Sequence, residues 1–390
     1  MNATELLDII SAGETSRVQF KQEMDDDKFA AEMIAMSNSK GGVILVGIQD
    51  KTGEIIGLNY EQLQSYNNRL SNIANDKVKP QIFIETEVVN VDTMDKGEQK
   101  VLAVTVLEGI SKPYKDKNGT IWVKQGSYKR KLTDNNEQVR LFQQSGIVYS
   151  DEMIVPDTSI NDVDFAKVEK YIKAIQKAET EGKITIDETL LANLNIIKKS
   201  HLTLGGLLFF SHNPQKYRPA FCIKAISFFG NNIGGINYRS SKDIGGTIPE
   251  MFEKAIDFFN SNLHAIQAGQ NFNSVGKLEI SETALEELIQ NALTHRDYSK
   301  NAPIRIMIFD NRVEIVSPGT LPNSLTVENI KLGNAVVRNN LLVSYCSKLM
   351  LYRGFGSGIT RAYAKQPDID LTNDVDGEQF IVRIPRVEIG

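Results

Sequence analysis

Apolar and polar positions change period several times along the chain. A helical spacing runs from Thr4 onward, and after Gln19-Phe20-Lys21 a second helix is predicted from about Lys28 to Ser37. Strand-like runs punctuated by glycine follow at Val43–Ile48, Ile82–Val91, Val101–Leu107 and around Ile121-Trp122-Val123-Lys124. Alternation at every second position marks Ile82–Val91 and Val101–Leu107 as strands, with Asp92–Gln99 between them as a hairpin connection. Residues 1–140 therefore read as an α+β domain, a mostly antiparallel sheet with helices. Residues 141–200 are polar and helix-rich, with Asp164–Glu179 the clearest amphipathic segment, and read as a helical connector. Residues 201–390 hold two apolar runs, Leu204–Phe210 and Phe221–Phe229, the first short, Gly-flanked and strand-like or core-like. Helices are predicted over Ile248–Leu263 and Ile280–Tyr298, then a strand pair (Ile304–Asp310, Arg312–Ser317) and a last strand, Phe380–Pro385.

With 390 residues, 41% hydrophobic and 24% charged, the chain has material for two or three cores and is not a mainly disordered polymer. No apolar run approaches the length that crosses a bilayer, and the first residues lack the basic region and apolar core of a signal peptide, so a cytoplasmic protein without a membrane partner is expected. Two cysteines, Cys222 and Cys346, and four histidines without a ligand-spaced motif argue against a disulfide framework or a structural zinc site. The net charge of −5 means that binding to an anionic polymer has to come from a local basic patch.

The helix Ile280–Tyr298 carries the most chemistry. Ser281 or Thr283 can cap it, and Thr283 with Glu286 fits a capping box. Leu285, Leu288, Ile289, Ala292 and Leu293 form one apolar stripe, which leaves Glu287, Asn291 and His295 together on the other side. That is the solvent side of an amphipathic helix, or else a magnesium–nucleotide site. Asn oxygen is a hard ligand for Mg²⁺, and a carboxylate can deprotonate a water aimed at a phosphate. Downstream lie a glycine turn at a strand end, Ser317-Pro318-Gly319, and the run Arg353-Gly354-Phe355-Gly356-Ser357-Gly358. Glycines at alternate positions let backbone approach a ligand, and amides opening a helix favour an anion.

In this order the blocks resemble the GHKL ATPase superfamily of gyrase B and the histidine kinases. Their wording (Ala284–Tyr298, Val313–Pro322, Gly354–Ala362) looks like a prokaryotic branch labelled divergent AAA or RecG-like ATP-binding domain. The resemblance covers roughly residues 200–390 and implies a GHKL-like α/β sandwich that binds ATP with Mg²⁺. It implies Glu287 as general base, Asn291 as Mg²⁺ ligand through the nucleotide, Gly354, Gly356 and Gly358 at the phosphates, and Gly319 near the base. His295, Arg296 and Asp297 match the branch's HRDY block. Ser317 stands where the superfamily's first glycine box begins with an Asp that reads the adenine amino group.

Near the N-terminus, Glu14-Thr15-Ser16-Arg17-Val18-Gln19-Phe20-Lys21, a helix, Asn38-Ser39-Lys40-Gly41-Gly42 and Gly47-Ile48-Gln49-Asp50 resemble the Schlafen AlbA_2 domain over about residues 10–140. That family is associated with DNA binding in bacterial regulators and with RNA cleavage by a carboxylate cluster in some animal members. Glu14, Lys21 and Asp50 are the candidate nuclease remnant. Gln19 replaces the second acid, which weakens a metal site. Lys112, Lys115, Lys117, Lys124, Lys129, Arg130 and Lys131, set against Asp116 and interleaved with Tyr114, Trp122 and Tyr128, form a cationic, aromatic window. Such a window is either a solvated face or a surface for phosphates and bases.

The reading that joins these features is an ATP-binding, DNA-binding transcription regulator, cytoplasmic and homo-oligomeric, whose nucleotide-switched C-terminal domain controls the N-terminal module. ATP would order the loops around Asn334–Leu342 and Arg353–Gly358. ATPase activity is the enzymatic form of this reading. A Schlafen-type metal-dependent nuclease and a non-catalytic oligomeric scaffold in phage defence are the alternatives.

Overall fold

The structure, a computed structural model, describes residues 1–390 except 51, 94, 146, 177–184, 235–236, 267–275, 323–324, 351–355 and 387–390. It divides into two units, Met1–Val148 and Tyr149–Gly390.

In the first unit a four-stranded sheet has the order Val18–Lys21, Gly42–Val46, Gly97–Val106, Ile84–Thr93. Only the first pair is parallel, so the expected mostly antiparallel sheet with helices is present. The parallel pair needs a crossover, and the helix Asp26–Asn38 supplies it, buried from Phe29 to Asn38. Gly41 turns the chain from this helix into the next strand at φ +70°, where an added Cβ would come within 2.7 Å of the Val106 carbonyl oxygen. Alternation sorts the core. Ile44, Val46, Leu102 and Val104 meet Phe29 and Met33 on one face, while Leu45, Val101 and Ala103 meet Leu6 on the other. The hairpin connection is tighter than the pattern suggested, because pairing continues to Thr93 opposite Gly97. Trp122–Gln125 and Tyr128–Lys131 form a separate two-stranded ribbon.

The second unit is built on a six-stranded sheet ordered Tyr238–Ile244, Ile223–Phe228, Ile304–Ile308, Arg312–Pro318, Gln379–Pro385, Asp370–Asp374. Its strands are antiparallel apart from the pair Ile223–Phe228 and Ile304–Ile308. The helices Ile248–Asn262 and Glu282–His295 share one core with this sheet, giving the helix-on-sheet layering of the expected sandwich. Val155, Val163, Val168, Tyr171, Leu191 and Ile196 enter the same core from residues 149–200. Leu204–Phe210 is a helix and not a strand. Thr203 Oγ1 accepts from the Gly206 amide at 2.9 Å to cap it, and all seven residues are buried. A helix that is apolar on every side has no period to read.

One buried ion pair ties the ribbon to the crossover helix. Glu32, 1% exposed, accepts from Lys124 Nζ at 2.7 Å and from Lys129 Nζ at 2.8 Å. Removing one partner of a buried pair leaves an uncompensated charge at a cost of about 3–5 kcal/mol. Glu32→Ala, which leaves the buried Lys124 and its neighbour Lys129 without a counter-charge, is therefore expected to lower the unfolding free energy of the first unit by about 3 kcal/mol or more, read as a shift of the urea midpoint, while Lys117→Ala at the exposed Asp27 pair shifts it little.

Candidate functional site

The helix Glu282–His295 starts two residues earlier than a cap at Thr283 would allow. Ser281 holds the N-cap position without a side-chain bond, and the Thr283–Glu286 capping box is not formed. The predicted apolar stripe is buried. The opposite side does not face bulk water either, since the helix Ser357–Lys365 packs across it. A Cβ on Gly358 would lie 2.6 Å from Glu287 Oε2 and 3.2 Å from Asn291 Nδ2, so the absence of a side chain there sets how closely the helices meet.

Glu287, Asn291 and His295 open together into one cavity. Its floor is the sheet, through Ile315, Ser317, Phe380 and Val382, and its walls include Gly319–Pro322, Asn334–Val336, Arg338 and Gly356–Gly358. The volume of about 140 Å³ is roughly ten times what a single water needs, which is space for a small molecule.

The polar groups in the cavity are mostly donors. Arg361 donates to Glu287 Oε1 through Nε at 2.7 Å and Nη2 at 2.5 Å, and its Nη1 donates to Ser357 Oγ at 3.0 Å. Asn291 Nδ2 is buried with no hydrogen-bond partner among the described residues. Arg338 Nη2 donates to the Thr320 carbonyl at 2.6 Å, and burial holds its guanidinium below the usual range. Burial, with the Arg338 charge beside it, pulls His295 down to about 4, so the imidazole is neutral near pH 7. Ser317 Oγ donates to the Ala292 carbonyl at 3.4 Å, so it ties the strand to the helix. Gly319, at φ +99°, and Gly356, at φ +70° and capping Ser357–Lys365, both sit at the cavity; Gly354 lies outside the described residues. Unpaired amides and two guanidiniums suit an anion, while Glu287 and a carboxamide free to turn its oxygen inward suit a hard cation.

Arg296 and Asp297 of the HRDY block act within the fold. Arg296, 2% exposed, lies over the Phe221 and Tyr298 rings and donates to the Lys300 and Ala302 carbonyls. Asp297 Oδ1 accepts from the Ser299 amide and hydroxyl.

In the first unit, Lys21 Nζ donates to Asp50 Oδ2 at 2.9 Å, while Glu14 Oε1 accepts from the Phe20 amide at 2.8 Å. The Gln19 amide is taken up by backbone carbonyls, Ser127 among them. Among the described residues, no three His, Cys, Asp or Glu gather as a metal site. The cationic window is largely self-neutralised. Lys112 pairs with Glu108, Lys124 and Lys129 with Glu32, Arg130 with Glu137 and Lys117 with Asp27. Lys124, placed in the window as a surface cation, has its side chain buried, because the carboxylate that balances it comes from a helix distant in sequence. Lys115, over the Phe142 ring, and Lys131, over the Trp122 ring, have no carboxylate partner among the described residues. Tyr114 is buried, and Tyr128 is exposed.

Three family models match the chain. Residues 14–133 match "Schlafen, AlbA_2", residues 301–380 match "Putative ATP-dependent DNA helicase recG C-terminal", and residues 139–224 match a domain of unknown function. The chain thus carries a segment similar to the Schlafen AlbA_2 domain ahead of one similar to the RecG C-terminal domain. No curated protein matches it. Among solved structures, the DIP2311 protein from Corynebacterium diphtheriae is similar at 20% identity and a TM-score of 0.47, over 98% of this chain and 80% of that one. The RecG-like match takes in Ser317, Gly319, Gly356 and Gly358 and begins after Glu287 and Asn291. The AlbA_2 match spans Glu14 to Lys131. Together these domains support a nucleic-acid-related and nucleotide-related protein.

Arg361, Arg338 and Asp151 were not legible as site residues. Arg361 had a signal, since it follows Gly356 by five residues on the same helix and points back to its start. Asp151 had none. Fully buried, its Oδ2 accepts from the Leu342 amide at 2.9 Å, so it caps the helix Asn340–Leu349 that follows the cavity wall. Asn339 fixes the same entry by donating to the Thr294 and Arg296 carbonyls.

Burial raises Asp151 from 3.8 to about 6. A carboxyl raised in the folded state binds more protons folded than unfolded, so its contribution falls as pH rises from about 4 to about 6 and is level above. The stability difference between Asp151→Asn and wild type is expected to move in favour of the variant by about 3 kcal/mol over that window, measured by urea unfolding at fixed pH steps.

Proposed function

We propose that the RecG-like domain binds ATP with Mg²⁺ in the cavity between the helices Glu282–His295 and Ser357–Lys365, and that the AlbA_2 domain binds nucleic acid, DNA rather than RNA. In this reading the protein is a regulator in which the nucleotide state of the second unit governs nucleic-acid binding by the first. One observation carries the nucleotide assignment. Glu287 and Asn291, one turn apart, open into a cavity beside a helix start whose amides and arginines favour an anion.

The residues fit the group. Ser357 and the backbone from Gly356 to Gly358 would hold phosphate oxygens, and Asn291, whose amide has no other partner, would turn its oxygen to the cation. When bound, Mg²⁺ supplies charge neutralisation across the phosphates. Glu287 Oε2, the oxygen that Arg361 does not take, is the atom able to accept a proton from a water. The neutral His295 adds no charge to the site near pH 7. Ser317, standing where the wider superfamily has an acidic acceptor, spends its donor on the Ala292 carbonyl, and the Arg338 guanidinium at the cavity favours a base recognised through its acceptor atoms.

For nucleic acid, the support is the pair of cations without carboxylate partners. Lys115 bridges to Ile121 and Lys131 pairs with Trp122, so adjoining backbone carries both.

Titration calorimetry with MgATP is expected to give saturable heat with the full chain and at least about tenfold weaker binding for Asn291→Ala, with His295→Gln unchanged between pH 6 and 8. Absence of heat with wild type removes the nucleotide assignment. In filter binding to duplex DNA, Lys115→Glu with Lys131→Glu is expected to reduce the slope of log K against log salt by about 2. A slope left unchanged places the DNA elsewhere.

A further inference from the structure

Resting on the nucleotide reading, we infer that Arg361 is a phosphate-sensing residue that trades its ion pair with Glu287 for the terminal phosphate, so that Glu287 is released only when a triphosphate is bound. Arg361 is the fifth residue of the helix Ser357–Lys365, and its side chain folds back along that helix until Nη1 reaches Ser357 Oγ at 3.0 Å. A cation at a helix N-terminus opposes the dipole, and an anion has to compensate for it. In the structure that anion is Glu287, which receives both Nε and Nη2 on Oε1. The helix amides attract a phosphate to the same place.

A phosphate there and the Glu287 carboxylate compete for one guanidinium, because two anions on either side of it repel. The phosphate is the stronger claimant, since it carries more charge and also meets the amides around Gly356–Gly358. Only a residue without a side chain fits at 358, since a Cβ there would come within 2.6 Å of Glu287 Oε2. While the pair holds, Oε1 is occupied by two donors and the carboxylate is held to the Arg361 guanidinium. Transfer of Arg361 to the phosphate therefore releases the Glu287 carboxylate and marks the presence of a third phosphate. A diphosphate, lacking that group, leaves the pair intact.

The test is calorimetric titration of the full chain with ADP and with a non-hydrolysable ATP analogue, both with Mg²⁺, against wild type, Arg361→Gln, Glu287→Gln and the double variant. Wild type is expected to prefer the triphosphate by about tenfold, and Arg361→Gln to lose that preference while its ADP affinity stays within about threefold. Glu287→Gln, nearly isosteric, is expected to tighten triphosphate binding by about tenfold in the wild-type background and not at all beside Arg361→Gln. Equal tightening in both backgrounds indicates simple repulsion by Glu287 and overturns the exchange, as does an Arg361→Gln loss shared equally by ADP and the analogue. No binding of either nucleotide to wild type or Glu287→Gln overturns the nucleotide reading and the exchange together. Melting temperatures within a few degrees of wild type establish that each variant is folded.

Discussion

Where Gly358 meets Glu287, a side chain on the glycine would come within 2.6 Å of the carboxylate, so the helix Ser357–Lys365 lies directly against the polar side chains of Glu282–His295. That contact shapes the second unit's cavity. It lays the start of Ser357–Lys365 against the polar side of Glu282–His295, shielding from water a carboxylate that would otherwise be a solvated surface group. Shielding raises the stakes of every charge there, because an unpaired buried carboxylate is costly. Arg361 answers that cost from the helix that imposes it.

The same economy of paired charge governs the first unit. Glu32 lies inside the AlbA_2 domain and is balanced by Lys124 and Lys129 from the ribbon. Cations that look in sequence like a nucleic-acid surface are therefore partly structural, and of the window's cations Lys115 and Lys131, held over aromatic rings, have no carboxylate partner among the described residues. In both units the question is which charges the fold has already satisfied. A ligand can engage the rest only by competing or by finding a group left over.

The cavity's far wall depends on one residue distant from it in sequence and one beside it. Asp151 and Asn339 anchor the entry to Asn340–Leu349 through backbone amides and carbonyls. Asp151 lies in the segment matched by the domain of unknown function, so that segment contributes to the geometry of the RecG-like domain's cavity. A buried carboxyl with a raised pKa is an expensive cap, and its other oxygen has no partner among the described residues.

Local patterns in the sequence determined the elements. The alternation of Val101–Leu107 sorted its side chains to two faces, the stripe from Leu285 to Leu293 located a core helix, and the glycines near Gly358 marked a close approach. Those signals are legible because they depend on a strand's period of two, a helix's turn of 3.6 residues and the lack of a side chain, all properties of near neighbours. Leu204–Phe210 escaped this logic because uniform burial leaves no period. Tertiary structure alone decided whether the Glu287 side of its helix faced water or a cavity, that Arg361 would hold the carboxylate, and that Lys124 would be inside. Each of these turns on which distant segment comes to lie within a few ångströms, and no spacing along the chain encodes that distance.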